Sequence, residues 1–259
     1  RKNIKNSVFN NKDLKINEYH YDKKYTSIIS LDLEGDYNGS EQEGINHLDI
    51  FLKLLKSMNV PITVYVEGRL FKERPRICDS LVQNDLDIQL HCYDHRNRGD
   101  SIEDIYKGIE AYKSFMGKKP MGYRAFGFKL NDELFDILIK EEFKWDSSLL
   151  PGFGLGGHIK WANRIGDYYK INNKILEFPV ATWKKINYPM IQSYRGMLKF
   201  PLENLFNLFF LKPSLLVYVI HMVDVVWTKN LSRSPLPIFL KIAYYYYWGL
   251  SRGNKFKDL

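Results

Sequence analysis

The chain has 259 residues, of which 45% are hydrophobic and 26% are charged, and its formal net charge is +8. This length fits one large barrel-type domain or two small domains, and the composition excludes a disordered or collagen-like chain. The positive charge suits an acidic partner. Because the basic residues are scattered and never form a run of five, we expect no nucleic-acid binding.

The cysteines and the apolar stretches bear on the compartment. Cys78 and Cys92 make neither a disulfide framework nor a thiolate metal site, which favours a reducing compartment. The most apolar stretch, 205–227, is interrupted by charged residues and a proline, so we expect no transmembrane helix. We therefore expect a cytoplasmic protein. The aromatic segment 244–248 favours either peripheral contact with a membrane surface or a last helix packed across the barrel bottom.

Apolar runs alternate with helical patterns along the chain after a polar segment at 1–24. Strands are predicted at 25–33, 62–66, 86–90, 121–125, 143–146, 175–180 and 215–220. No internal repeat, low-complexity linker or break in composition marks a second domain. The alternation predicts a parallel sheet, closed as a distorted (β/α) barrel of about seven strands, in a single domain over residues 25–259.

Ionisable residues follow most of the predicted strands. They are Asp32 with Glu34, Glu67, His91 with His95, Arg124, Asp146 and His221. Because the carboxyl ends of parallel strands form one rim, which hosts the active site in such folds, we expect these side chains to converge. For Glu67 the alternative is a hydrogen bond at the barrel mouth without a chemical role. Cys92 is expected to be a small core residue.

The histidines of segment 91–95 are four residues apart, a spacing that can place two imidazoles on one side of a turn around a shared metal. Such a pair is weak evidence alone, and loop or surface histidines are the alternative. Asp32 and Glu34 strengthen the metal interpretation because they can supply an oxygen ligand and a second, unligated carboxylate. Two histidines and one carboxylate leave coordination positions open, as a catalytic zinc or related divalent ion requires.

These residues resemble the ordered motifs of the polysaccharide deacetylase family, also called the NodB-homology family or carbohydrate esterase family 4. The similar segments are, in chain order, 30–35, 63–68, 91–95, 122–125 with 143–148, 177–180 and 219–221. The first is similar to the Asp-x-Glu form of the family's first motif, and 91–95 is similar to its histidine motif. The resemblance extends from about residue 25 to about residue 227 and implies the family's barrel fold.

The resemblance also implies an activity, namely metal-dependent hydrolysis of an N-acyl group, first of all N-acetyl, from an amino sugar of a polysaccharide or lipid-linked saccharide. It implies a divalent metal, with zinc as the expected ion, on three ligands: Glu34, His91 and His95. It implies Asp32 as the general base and His221 as the general acid of the hydrolysis. Arg124 would orient Asp32.

Several alternatives remain open beside this interpretation. Asp36 is the alternative to Glu34 as a metal ligand, and Asp224 either orients His221 or is a structural loop residue. Ala125 stands where the family usually has a proline. The alternative functions are deformylation of a lipid-linked sugar and glycan binding by a catalytically inactive barrel. A structural or nucleic-acid-binding protein is the least favoured.

Overall fold

The computed structural model describes residues 16–19, 26–35, 42–97, 101–151, 168–171, 173–183, 188–191 and 215–225. The strands in this part of the chain are β1 (Ile16–Tyr19), β2 (Thr26–Leu33), β3 (Thr63–Glu67), β4 (Asp87–His91), β5 (Gly122–Arg124), β6 (Trp145–Asp146), β7 (Tyr168–Ile171), β8 (Ile175–Glu177), β9 (Thr182–Trp183), β10 (Tyr188–Pro189) and β11 (Leu215–His221). The α-helices are α1 (Leu48–Met58), α2 (Leu70–Glu73), α3 (Pro75–Gln83), α4 (Ile102–Met116), α5 (Asp132–Lys140) and α6 (Met222–Val225).

One sheet holds nine of these strands, and seven of them run parallel in the order β11-β2-β3-β4-β5-β6-β8. Beyond β8 the chain crosses towards β11, where the backbone N–H of Ala181 donates to the carbonyl of Val217 at 3.0 Å. Ile191 then forms a parallel bridge with Val219 in β11. The sheet is therefore a nearly closed barrel, and the prediction of a parallel barrel of about seven strands is confirmed.

Successive side chains of a strand point alternately to the apolar core and to the barrel interior, as β2 shows. Leu31 and Leu33 of β2 are fully buried in the main apolar core, which also includes side chains from α1, α3, α4 and α5. Ser30 and Asp32 of the same strand are also buried, and both hydrogen-bond Arg124 of β5. This period-2 pattern is the one expected of a strand with an apolar and a polar face. It brings polar groups from distant strands together inside the barrel.

The helices begin where the sequence predicts. The side chain of Ser101 accepts a hydrogen bond from the backbone N–H of Asp104 at 3.1 Å and so caps α4. Asn131 caps α5 in the same way through Leu134 N–H at 2.8 Å. These side chains satisfy backbone donors that a helix leaves unpaired at its start.

The antiparallel strands β1 and β7 were not predicted from the sequence. β1 lies within the polar segment 1–24 and pairs with β7, which in turn pairs with β8. Both strands have only four residues, β1 at the sheet edge and β7 beside it, and β1 (INEY) has polar residues at its centre, so neither gives a strong apolar pattern. Within the described residues, no helix has the length and hydropathy needed to cross a bilayer. Segment 244–248 and most of 205–227 lie outside those residues.

Candidate active site

The structure brings all of the predicted site residues to one end of the barrel. Each follows or ends a parallel strand or lies in the turn beyond it: Asp32 and Glu34 at β2, His91 and His95 at β4, Arg124 at β5 and His221 at β11. Asp32, His91 and Arg124 are at most 2% exposed. The neighbouring registers His221↔Asp32 and His91↔Arg124 place these residues side by side on adjacent strands. The predicted convergence at the barrel mouth is therefore present.

Glu34 lies between the two histidines. Its Oε2 atom is 3.1 Å from Nε2 of His91 and 2.8 Å from Nδ1 of His95. The two imidazole rings meet edge to face, with centroids 4.7 Å apart. Burial raises the pKa of Glu34, but the charge of His95 and hydrogen bonds from both histidines outweigh it and hold that pKa well below its usual range. Glu34 is therefore an ionised carboxylate between two imidazoles.

The hydrogen bond made by Nδ1 of His91 determines which atom of its ring is available to a metal. Nδ1 of His91 is 2.8 Å from the backbone carbonyl of Arg124, and because a carbonyl only accepts, Nδ1 carries a proton. Nε2, the ring atom that faces Glu34, is therefore the atom of His91 left to bind a metal. Nε2 of His95 is buried and has no hydrogen-bond partner among the described residues. A carboxylate with two imidazoles is the donor set of many catalytic zinc sites, so Glu34, His91 and His95 fit a divalent metal.

Cys92 offers an alternative third donor. One potential ligand atom from each of His91, Cys92 and His95 lies within 4.8 Å of the others. Burial raises the pKa of the Cys92 thiol to about 11, so the thiol stays protonated at neutral pH and is a weaker ligand than the Glu34 carboxylate. Cys92 is fully buried, as predicted for a small core residue. Asp36 lies outside the described residues.

Arg124 fixes one oxygen of Asp32. Nη1 of Arg124 is 2.5 Å from Oδ1 of Asp32 and 2.9 Å from Oγ of Ser30. The other side of the guanidinium donates to the carbonyl and the hydroxyl of Ser147, at 3.1 and 2.8 Å, and the guanidinium carbon lies 4.1 Å from the centre of the Tyr65 ring. The contact that an orienting role requires is therefore present. The other oxygen of Asp32, Oδ2, remains directed towards His221.

His221 faces both carboxylates at the mouth. Its Nε2 atom is 3.7 Å from Oδ2 of Asp32 and 3.9 Å from Oε1 of Glu34, while Nδ1 is 3.1 Å from Oδ2 of Asp224. The backbone N–H of His221 donates to the same Asp224 oxygen at 2.9 Å. Burial lowers the pKa of His221, but the hydrogen bond to Asp224 and the nearby carboxylates outweigh it and raise the pKa to about 9. Of the two alternatives for Asp224, the structure supports the orienting one.

Some residues around the site were missed by the sequence analysis. Ser30 and Ser147 hold Arg124, and Arg69 binds Glu67 at 2.5 Å. Ser30 could have been found, because it is two residues before Asp32 and so lies on the same face of the strand. Ser147 and Arg69 follow strand ends in loops, where no periodicity predicts which way a side chain points.

The fold and the site together define a class, that of a (β/α) barrel with a histidine and carboxylate centre at the carboxyl end of its parallel strands. A family model described as "Polysaccharide deacetylase" matches residues 44–144 of this chain. That match contains His91, His95 and Arg124. The residues that complete the site, Asp32 with Glu34 and His221, lie on either side of it.

A curated protein and several solved structures are also similar to this chain. A peptidoglycan deacetylase from Helicobacter pylori is 26% identical over 144 residues, which are 54% of this chain and 43% of that protein. A solved Mycobacterium smegmatis structure, described as a candidate polysaccharide deacetylase, is 18% identical with a TM-score of 0.50, and the match covers 79% of this chain and 80% of that one. This second likeness shows the fold alone. A pseudoenzyme of carbohydrate esterase family 4 from Bacillus anthracis is 13% identical with a TM-score of 0.49, over 90% of this chain and 63% of that one.

Proposed function

We propose that this protein is a metal-dependent carbohydrate deacetylase that hydrolyses the amide of an N-acyl amino sugar, with N-acetyl as the expected group. The observation that carries the proposal is that two functional units share one barrel mouth. The first is the set of metal-type donors around Glu34, and the second is the Asp32 carboxylate facing the Nε2 atom of His221 at 3.7 Å. A protein that only binds glycan has no need of the second unit.

A divalent ion held by Glu34, His91 and His95, with zinc as the expected ion, would polarise the scissile carbonyl and lower the pKa of a bound water. The remaining chemistry belongs to side chains of this protein. Hydrolysis adds the hydroxyl of water to the acyl carbon and a proton to the sugar nitrogen, so it needs one group to take a proton and another to give one.

Asp32 and His221 have the contacts that these two roles require. Oδ1 of Asp32 is held by Arg124, which leaves Oδ2 to take the proton of the attacking water. With a pKa of about 9, His221 carries a proton on Nε2 at neutral pH and can donate it to the departing amine. Asp224 on Nδ1 keeps the ring oriented with Nε2 towards the mouth. The products are a carboxylate and a free amino sugar.

The substrate is an amino-sugar glycan. The similarity to a peptidoglycan deacetylase supports a saccharide of the peptidoglycan type, and the net charge of +8 supports an anionic or lipid-linked form of it. Phe126, half-buried with its ring centre 4.5 Å from that of His95, gives the mouth an apolar face against which a sugar ring can pack. A cytoplasmic enzyme that acts at the membrane surface on a lipid-linked saccharide is one form of this proposal.

Metal analysis and product analysis test the proposal together. The wild-type protein should retain a divalent metal that the Glu34→Ala and His91→Ala variants lose. It should also release acetate from N-acetylated oligosaccharides, peptidoglycan or lipid-linked saccharides. Release of formate alone would replace the deacetylase by a deformylase, and glycan binding without any turnover would indicate an inactive barrel. Absence of metal together with steeply salt-dependent binding to nucleic acid would overturn the proposal.

A further inference from the structure

Glu67, at the end of β3, makes more contacts than its place beside the barrel mouth suggests. Its side chain is fully buried. Oε1 accepts from the backbone N–H of His95 at 2.8 Å and from Nε of Arg69 at 2.5 Å. Oε2 accepts from the backbone N–H of Gly35 at 3.0 Å and from Nη2 of Arg69 at 3.1 Å. Each carboxylate oxygen therefore has two donors.

The two backbone contacts connect separate loops. Gly35 directly follows Glu34 after β2, whereas His95 lies in the turn after β4, and β3 lies between these two strands in the sheet. One carboxylate on the middle strand thus holds the backbone of both flanking loops. The same two loops supply the Oε2 and Nδ1 atoms that are 2.8 Å apart.

We propose that Glu67 is a positioning residue that sets the separation between Glu34 and His95 and thereby the affinity and geometry of the metal centre. This inference rests on the proposed function. Groups that hold metal ligands in place typically change metal affinity by about 10- to 100-fold when they are removed.

The contacts around Glu67 restrict the movement of its side chain and of the backbone next to it. Arg69 is itself held by Glu73 at 2.7 Å and lies 3.6 Å from Asp94. The backbone N–H groups of Gly68 and Arg69 donate to the carbonyls of Cys92 and Tyr93, at 3.1 and 3.0 Å. The backbone that follows β3 is therefore bound directly to the segment that leads to His95.

Gly68 shows how closely these two segments approach each other. A Cβ atom at this position would lie 3.0 Å from the Cys92 carbonyl oxygen and 3.0 Å from Cα of Gly108 in α4. Both neighbours are backbone atoms and cannot rotate away. Only glycine fits without a shift of the backbone. Glu67 is thus anchored on a segment with little freedom to move, as a residue that sets a distance must be.

Glu67→Gln and Glu67→Asp test the proposal, with Glu73→Gln as the matched control. In Glu67→Gln, an amide nitrogen replaces one oxygen and faces N–H donors, so at least one loop loses its acceptor. Glu67→Asp keeps the charge opposite Arg69 but is one methylene too short to contact both loops. Glu73 is also a carboxylate bound to Arg69, but among the described residues it accepts from the side chains of Gln42, Arg69 and Arg96 and not from the backbone N–H of Gly35 or His95.

The measurements are the Kd for Zn²⁺ by chelator competition, the visible absorption of the Co²⁺-loaded protein, and hydrogen exchange of the Gly35 and His95 amides in metal-free protein. In both Glu67 variants we expect the Zn²⁺ Kd to rise about 10- to 100-fold, the Co²⁺ spectrum to change and both amides to exchange faster. The Glu73→Gln variant should match the wild type. Thermal unfolding in the presence of chelator shows that each variant is folded, and Glu67→Asp, which keeps the ion pair, serves if Glu67→Gln does not fold.

Different results overturn different claims. If the wild type binds neither Zn²⁺ nor Co²⁺, the proposed function and the role of Glu67 both fail. If the wild type binds metal and the Glu67 variants bind it equally well, only the role of Glu67 fails. Equal weakening in Glu73→Gln would also overturn it, because the effect would then come from the ion network in general.

Discussion

Two buried ion pairs between a carboxylate and a guanidinium flank the site, Glu67 with Arg69 and Asp32 with Arg124. The two carboxylates differ in how many of their oxygens accept hydrogen bonds. Both oxygens of Glu67 accept hydrogen bonds, from Arg69 and from two backbone amides. Asp32 has only Oδ1 bound by Arg124, and its Oδ2 atom lies 3.7 Å from His221, beyond hydrogen-bond distance. Both carboxylates are at most 1% exposed, so solvent access does not account for the difference.

The comparison separates a group that holds structure from a group that can react. A buried charge must be compensated, and in Glu67 both oxygens accept hydrogen bonds from groups that hold the surrounding structure. Asp32 is held by Arg124 through Oδ1 only, which leaves Oδ2 facing His221. We therefore expect changes at Asp32 to affect turnover and changes at Glu67 to affect metal binding.

The largest expected effect is that of Asp32→Asn on turnover. The amide keeps the size of the side chain but cannot act as a base, so kcat should fall about 10²- to 10⁴-fold. Metal content and the Zn²⁺ Kd should stay at the wild-type values, which is the reverse of the pattern expected for Glu67→Gln. Release of acetate, measured beside metal analysis, checks both. Unchanged turnover would end the proposed role of Asp32.

Arg124→Met tests whether the guanidinium of Arg124 compensates the buried charge of Asp32. The variant leaves Asp32 buried without its guanidinium, so the free energy of unfolding should fall by about 3–5 kcal/mol in urea denaturation. The double variant Arg124→Met/Asp32→Asn removes the unpaired charge as well and should recover part of the loss. If the single and double variants are equally stable, the Asp32 charge is not what Arg124 compensates.

Much of the fold was predictable because parallel strands buried on both faces leave continuous apolar, β-branched runs such as 62–66. The observed β3 and β4 are each displaced by one residue from their predicted positions, which places Glu67 and His91 at the strand ends. The convergence of the site followed from one geometric rule, that parallel strands share a carboxyl edge. β1 and β7 were not predictable, because short mixed strands are defined by their partners.

The positions of the site residues were predictable, but their contacts were not. The sequence identified Asp32, His91 and His221 as strand ends, and it identified Glu67 at the mouth without distinguishing a functional from an incidental role. The role of Glu67 depends on the direction of two backbone N–H groups, at Gly35 and at His95. Backbone direction in loops is set by tertiary packing and leaves no periodic signal in the sequence.

Asp224→Asn should have a smaller effect than the loss of Asp32. The amide can still hydrogen-bond the His221 ring but no longer supplies a charge to stabilise its protonated form. We expect kcat to fall about tenfold, as for other groups that orient a functional histidine, with the Zn²⁺ Kd unchanged. Acetate release and chelator competition on the same preparation measure both quantities. An altered Kd with normal kcat would place Asp224 in support of the metal loop instead.

A third pair of buried groups, Asp146 and Glu177, differs from the two carboxylate–guanidinium pairs because both of its members are carboxyls. They are register partners on β6 and β8, and both are fully buried. Burial, and then the charge of Asp146, raise the pKa of Glu177 well above its usual range. The first two pairs each combine a carboxylate with a guanidinium, whereas in this pair the raised pKa of Glu177 favours its protonated form.

The raised pKa of Glu177 predicts a pH dependence of stability. Because the pKa of Glu177 is higher in the folded than in the unfolded protein, its contribution to the free energy of unfolding is fully present below the unfolded pKa and is lost as pH rises through the folded pKa. Glu177→Gln supplies a permanent donor towards Asp146 and has no proton to lose. The variant should therefore lose less stability than the wild type as pH rises above the ordinary pKa of a glutamate, about 4.3.

Urea denaturation of both proteins across this range measures the difference, and Glu103→Gln is the control. Glu103 is an exposed carboxyl whose pKa is lowered by its hydrogen bond with Lys107, so it titrates below the range and its variant should keep the wild-type pH dependence. Parallel curves for Glu177→Gln and the wild type would show that Asp146 and Glu177 are both ionised in the folded protein. Arg124, whose charge also acts on both carboxyls, would then compensate three carboxylates instead of one.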